Sequence, residues 1–206
     1  LGLIEDERVV EPLIHTLKDD EAKRVRWRAA EALRHIPPME AIVPLIEAMT
    51  DEDSSVRTTA VKAMGEFGNE MAVESLVKRL KDEVRRVRAA AAKSLGELGH
   101  PNAIDALSEA LEDEDSSVRM MVAKALRKLG TRALEAAEVF NEMGKHTVFP
   151  LTEALWDEDE TVRLTAVQAL GELHDSQAVQ PLLEILQKDQ DGNIRAAAAL
   201  SLGDIG

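Results

Sequence analysis

Six arginines stand in one recurring setting. Val25-Arg26, Val56-Arg57, Val87-Arg88, Val118-Arg119 and Val162-Arg163 are joined by the variant Ile194-Arg195. Asp51, Asp82, Asp113 and Asp157 lie five residues before the valine, Asp189 five before the isoleucine, and Asp19 six before Val25. Such a series can serve as an anion-binding ladder, or each guanidinium can pair with an Asp of its own or an adjacent repeat. Asp51 with Arg57 is one candidate pair of the second kind. Fork-on-fork pairing of guanidinium with carboxylate favours the structural reading, and partly buried pairs fix geometry more reliably than they add stability. The expected structural ladder is Asp51, Arg57, Asp82, Arg88, Asp113, Arg119, Asp157 and Arg163.

Other reactive patterns are weaker. The acidic runs Asp51-Glu52-Asp53, Asp113-Glu114-Asp115 and Asp157-Glu158-Asp159-Glu160 could invite Ca²⁺. They lack the 12-residue loop with central Gly and terminal Glu that such a site needs. Helix capping, with negative charge at helix N-termini, is the expected role. His15, His35, His100, His146 and His174 share no repeat position and make no metal spacing with one another. There is no Cys, so thiolate catalysis, disulfides and Cys-ligated zinc are excluded. No Gly-rich phosphate loop or nucleophile motif is present. Neither a catalytic residue, a metal site nor a cofactor is expected.

The elements behind these residues follow from the spacing. The first three Val-Arg steps are 31 residues, the fourth is 44, or 31 plus 13, and the last is 32. Each Ala-rich stretch after the arginine ends like Leu95-Gly96-Glu97-Leu98-Gly99. Six repeats run 6–37, 38–68, 69–99, 100–130, 144–174 and 175–206, with an insertion at 131–143. Leu1-Gly2-Leu3-Ile4-Glu5 reads as the tail of a preceding repeat, and the chain as a fragment of a longer array. In each repeat a first helix such as Ala41–Met49 carries a helical apolar stripe, with Pro12, Pro44, Pro150 and Pro181 near its start. A polar connector follows. A second helix starts near Ser54 or Ser55, and Gly65 and Gly68 mark its end. Helices of about 10–13 residues are not stable alone in water. They must stack. Aromatic content of only 2% suits cores of closely packed Ala, Leu, Val and Ile. The insertion, with Leu134, Ala137, Val139, Phe140 and Met143 on one side, is expected to add a short helix. Trp156 either packs on that insertion or marks a binding spot.

The frame Ala-Val-x-x-Leu … Asp-x-Asp-x-x-Val-Arg-x-x-Ala-x-x-Ala-Leu-Gly-x-Leu-Gly resembles HEAT repeats, and more narrowly the phycobilisome-lyase type of HEAT-like repeat. The resemblance implies an all-α fold, an α-solenoid with a right-handed superhelix of six two-helix repeats, forming one array over 1–206. It also implies that the second helix of each repeat, helix B, lines a concave binding face. Positions two, three and six after the Val are then expected to point outward. They are Trp27, Arg28, Glu31; Thr58, Thr59, Lys62; Ala89, Ala90, Lys93; Met120, Met121, Lys124; Leu164, Thr165, Gln168; and Ala196, Ala197, Leu200. Lys62, Lys93 and Lys124 share one position, and neighbouring helices pack roughly 8–10 Å apart. Their mutual repulsion is only about 0.4 kcal/mol per pair at ~10 Å in water. The row is therefore either merely solvated or a recognition site for an acidic segment. Met120, Met121, Leu164 and Trp27 either cover one another and the insertion or serve an adaptable partner surface.

HEAT-like di-iron hydroxylases carry His-Glu dipeptides, and the chain has none. A net charge of −14 opposes nucleic acid and anionic membranes, and no apolar run approaches the roughly 18 residues of a membrane span. The expectation is a non-enzymatic, cytoplasmic scaffold that binds a protein or peptide on the helix-B face, with end-to-end contacts to further repeats or another copy. A bilin-lyase-type subunit acting on a tetrapyrrole–protein substrate is the alternative.

Overall fold

The computed structural model describes residues 7–36, 39–135 and 141–206, and all of their regular structure is helical. The remnant 1–5, the repeat boundary at 37/38 and the insertion residues Ala137, Val139 and Phe140 lie outside the described residues, as do the side chains of Leu134 and Met143. The chain divides into two compact units, Leu1–Ser94 and Leu95–Gly206.

The first unit alternates short and long helices: α1 Val10–Asp19, α2 Lys23–His35, α3 Ile42–Ala48, α4 Ser54–Phe67, α5 Val73–Arg79 and most of α6 Arg85–Leu98. Two of the short ones carry a proline in the first turn. Pro12 and Pro44 are third in α1 and α3, where the missing N–H has no intrahelical acceptor to lose. Helix α4 starts at an Asp cap: the Asp53 carboxylate accepts the Ser55 N–H at 2.9 Å. Helix α1 packs on α2, α3 on α4, and α2 on α4. Leu33, Leu45, Met49, Met64 and Leu76 are fully buried, with Ala29, Ala30, Ala60 and Ala63 between them. Small residues let the backbones approach. At Gly65 a Cβ would stand 2.8 Å from the Ser94 Cα, while the Ser94 hydroxyl donates to the Val61 carbonyl at 3.0 Å. Gly65 is thus a packing notch inside α4 rather than a terminator. The helix ends at Gly68, whose φ of 66° is the left-handed conformation that favours Gly.

The second unit holds α7 Ile104–Glu109, α8 Ser116–Glu135, α9 Asn141–Ala154, α10 Glu160–Leu173, α11 Val179–Lys188 and α12 Gly192–Ile205. Leu107, Leu126, Leu129, Leu151, Leu155 and Leu170 form its core. The notch recurs: a Cβ on Gly171 would stand 2.5 Å from the Ser201 Oγ, and Ser201 donates to the Val167 carbonyl at 3.0 Å.

The insertion takes a form the sequence did not specify. Residues 131–135 prolong α8 to 20 residues, and Asn141 already opens α9. Residues 131–135 and 141–143 thus belong to the flanking helices, and 136–140 lie outside the described residues. Gly130 sits where a terminating Gly is expected, yet the helix runs through it. Its missing side chain makes room for Leu173 and Thr147, so close packing accounts for this Gly. The extension also leaves Pro150 inside α9 rather than in a first turn.

Candidate partner-binding surface

The arginine ladder fixes where each helix B sits. Arg57 donates from Nε and Nη2 to the Asp82 carboxylate at 2.9 and 3.0 Å, and from Nη1 to the carbonyls of Asp51 and Glu52. One guanidinium therefore closes its own connector and grips the next. The same pattern joins Arg26 to Asp51, Arg119 to Asp157 across the insertion, and Arg163 to Asp189. The expected Asp51–Arg57 pair is corrected: Asp51 gives Arg57 only its backbone carbonyl, and its carboxylate belongs to Arg26. Arg88 closes its own connector through the Asp82 and Glu83 carbonyls, and the Asp113 carboxylate accepts the Asp115 N–H. In the first repeat the connector residue is Asp20, not Asp19. Arg26 Nη1 meets the Asp20 carbonyl, and the Asp20 carboxylate accepts the Ala22 N–H. Asp20 is in fact the residue five before Val25. Hydrogen bonds donated to the next Asp hold Arg26, Arg57, Arg119 and Arg163 above the ordinary guanidinium pKa, against burial, which lowers it.

The acidic runs behave as caps. Asp53, Asp115, Asp159 and Asp191 accept the N–H two residues on. Among the described residues no three His, Asp or Glu side chains gather as a metal site, and no helix is long and apolar enough to cross a membrane.

The positions expected to point outward divide. Arg28, Lys62, Lys93 and Gln168 are exposed. Trp27, Glu31, Ala89, Met120, Met121, Lys124 and Leu164 are half-buried, while Thr58, Thr59, Ala90 and Thr165 are buried. The buried threonines are corrections. Thr59 meets the adjacent helix B, accepting the Trp27 indole N–H, while the hydroxyls of Thr58 and Thr165 donate within their own helices, to the carbonyls of Ser54 and Thr161. In the last repeat Ala196 and Leu200 are exposed and Ala197 is half-buried. Trp156 is 54% exposed, and most of the insertion on which it was expected to pack lies outside the described residues.

One concavity lies wholly within the first unit. A groove of about 480 Å³ is lined by Lys23, Arg24, Trp27, Glu31 and Arg34 of α2, by Asp53, Ser55, Thr58, Thr59 and Lys62 around α4, and by Arg86 of α6. Trp27 is fixed there: its indole N–H donates to the Thr59 hydroxyl at 3.1 Å, and the Arg28 guanidinium stacks 4.2 Å from the ring centre, a cation–π contact. Lys23 pairs with Asp53 at 3.3 Å, and Arg34 bridges Glu31 and Glu66. Arg24, Lys62 and Arg86 make no ion pair among the described residues. Five cations thus meet two carboxylates in a chain of net charge −14. The outward-position rule names Trp27 and Lys62 but misses Lys23 and Arg34. Their signal was present, because 23, 27, 31 and 34 fall on one helical face.

Comparison with known proteins agrees with this architecture. The HEAT repeats family matches residues 10–92, 73–147 and 148–206. No curated protein matches the chain. Among solved structures, an engineered protein is 24% identical, with 96% of each chain covered and a TM-score of 0.63. The complex of CpcE and CpcF of phycocyanin lyase from Nostoc sp. PCC7120 is 26% identical over 95% of this chain and 76% of that one, with a TM-score of 0.63. A designed armadillo repeat protein in complex with peptide (KR)4 is 18% identical over 96% and 99%, with a TM-score of 0.67. All are similar to this chain in fold. From residue 10 to residue 206 the match is continuous, and the chain belongs to the HEAT repeat family.

Proposed function

We propose that this chain is a non-enzymatic scaffold whose helix-B surface binds a protein partner, with the Trp27 groove taking an acidic segment. The observation that carries this reading is the pairing of unpartnered cations with a rigid aromatic floor. Arg24, Lys62 and Arg86 stand in the groove without counter-charges among the described residues, beside an indole whose N–H is already satisfied. A segment with acidic side chains flanking an apolar one would neutralise the first and cover the second. Aromatic and Arg anchors of this kind carry most of the energy in protein interfaces. The designed armadillo protein in complex with peptide (KR)4 has the same class of fold, so a repeat surface of this kind can hold a peptide. Here the groove's charge favours the opposite sign.

The test is an anisotropy titration with labelled Glu-rich and Lys-rich peptides of equal length, each with one central Leu. The acidic peptide binds, and reversing Lys62 and Arg86 to Glu weakens it by roughly tenfold or more. Equal binding of both peptides, or no effect of reversal, removes the reading. The likeness to the phycocyanin lyase complex supports a second reading, a lyase-type subunit. Mixing the chain with a free bilin separates the two, since a red-shifted bound band favours the lyase reading and an unchanged spectrum the scaffold.

A further inference from the structure

Three residues form a row across the Trp27 groove. Arg24, Ser55 and Arg86 each stand immediately before a frame Val and are spaced 31 residues apart. They therefore sit at one level on three successive helices, α2, α4 and α6, and all three line the groove. Neighbouring helices of such a stack lie roughly 8–10 Å apart. The two guanidinium arms thus flank the serine from either side. Lys62 follows Ser55 by seven residues, two turns along the same face of α4, and lines the groove as well.

Ser55 differs from its repeat equivalents. In the second unit Ser117 and Thr161 donate their hydroxyls to the cap carboxylates of Asp115 and Asp159. Ser55 is exposed, and only its N–H serves the Asp53 cap; its hydroxyl makes no hydrogen bond among the described residues. The neighbouring hydroxyls are engaged, Thr58 on the Ser54 carbonyl and Thr59 with the Trp27 indole. The groove's carboxylates are compensated too, Asp53 by Lys23 at 3.3 Å and Glu31 by Arg34 at 2.9 Å. Lys62 and Arg86 have no such counter-charge among the described residues. The groove is left with a hydroxyl donor between two guanidinium groups and an ammonium on the same wall.

A carboxylate matches this set incompletely. It carries one charge and two coplanar oxygens, which a single guanidinium fork occupies. A phosphomonoester carries about −1.5 to −2 at pH 7 and three acceptor oxygens, enough for a guanidinium on each side and the serine hydroxyl between them. We propose that the groove selects a phosphorylated peptide, with its phosphomonoester over Ser55 between Arg24 and Arg86 and the adjacent apolar side chain on Trp27. This rests on the reading of the groove as a site for an acidic segment, and it names the acidic group.

Anisotropy titrations with three labelled peptides test this, the peptides being identical except for Ser, Glu or phosphoserine beside a central Leu. The phosphoserine peptide binds roughly tenfold or more tighter than the Glu peptide, and the Glu peptide tighter than the Ser peptide. Ser55→Glu places a carboxylate between the arginines and removes the preference for phosphate. Arg86→Gln removes it too. Both side chains are exposed, and an unchanged thermal midpoint checks that the variants fold. Equal affinity for the phosphoserine and Glu peptides overturns the phosphate assignment while the acidic-segment reading stands. No binding by any of the three removes both. A preference that survives both substitutions puts the phosphate elsewhere and overturns the proposal. Free phosphoserine that binds as tightly as the peptide overturns the peptide as occupant.

Discussion

The two units share one frame and differ on the surface it displays. In the first, the two residues after the Val-Arg are Trp27-Arg28, Thr58-Thr59 and Ala89-Ala90, and the groove beside the first two pairs is cationic. In the second they are Met120-Met121 and Leu164-Thr165. There the apolar side chains are half-buried and the sixth-position Lys124 is half-buried too. The rungs below are alike: Arg57–Asp82 and Arg163–Asp189 use the same atoms. The lesson is a division of labour along one helix. Backbone-tied arginines and notch glycines set the spacing between helices, so the residues between them are free to change the chemistry of the surface.

The rungs give the largest expected effect. In the first unit the pair is deeply buried, with side-chain exposure of 7% for Arg57 and 3% for Asp82. Removing Arg57 leaves the Asp82 carboxylate with Arg79 at 3.4 Å and the Val84 N–H as its remaining partners, and strands two connector carbonyls. Arg57→Ala is expected to destabilise by about 3–5 kcal/mol, the usual cost of breaking a buried pair. In the second unit Arg163 is 17% exposed, and water can replace part of what is lost. Arg163→Ala is expected to cost about 1–3 kcal/mol, between the surface and buried cases. Urea denaturation of both variants measures the difference, and equal losses would mean that burial does not grade the ladder.

The notches come next, and here the units should agree. Gly65→Ala drives a methyl into Ser94, and Gly171→Ala into Ser201. Each is expected to cost about 1–3 kcal/mol, as overpacking of a tight contact does. Gly203→Ala has no such neighbour and should stabilise by up to about 1 kcal/mol through helix propensity. Thermal unfolding of the three variants decides it. A loss at position 203 would show that the apparent notch there is already filled.

The frame was legible because it repeats. Five Val-Arg pairs with a fixed Asp offset announced the helix pairs and the caps. Three things were not legible. Which Asp meets which Arg depends on how far one repeat is displaced from the next, and sequence separation suggested the nearer Asp51 for Arg57. Periodicity could not separate Thr58 and Thr59 from true surface residues, since the Thr59 hydroxyl serves the Trp27 indole of the neighbouring helix and the Thr58 hydroxyl satisfies itself on its own helix backbone. Gly130 looked like a terminator because Gly serves both for left-handed caps and for close approach, and only Leu173 and Thr147 reveal which. At the candidate site, Trp27 and Lys62 came from the repeat frame. Lys23 and Arg34 follow only from the face of α2 on which Trp27 lies.

The helix ends sharpen the comparison by smaller amounts. Helix α4 ends on Gly68 at φ 66°, whereas the equivalent α10 ends on His174 at φ 50°. A side chain in that conformation is strained. His174→Gly is expected to raise stability by about 0.5–1 kcal/mol, the strain relief exceeding the extra freedom of the unfolded chain. Gly68→Ala should lower it by a similar amount, and opposite shifts in urea midpoint are the required result.

The N-terminal caps differ in acid. Asp159 is held down to about 2, first by the Thr161 hydroxyl, then by the Ser116 hydroxyl and the Thr161 N–H, against burial. At Asp53 burial is the largest single influence and pushes upward, yet the Ser55 N–H and Lys23 outweigh it and leave the pKa below its ordinary value. Both groups are more acidic folded than unfolded, where a carboxyl titrates at about 3.9. The stabilisation each gives is therefore complete above about pH 4 and is lost as pH falls through the folded value, near 2 for Asp159. Asn caps a helix as well as Asp does but cannot titrate. Asp159→Asn should keep neutral-pH stability within a few tenths of a kcal/mol and flatten the decline of the urea midpoint between about pH 4 and 2. Asp53→Asn should lower the dependence on salt at neutral pH instead, because it removes the Lys23 pair at 3.3 Å, whose partner is largely exposed and screened. If Asp159→Asn leaves the acid limb as steep as before, the proton uptake belongs to other carboxylates and the two caps are equivalent after all.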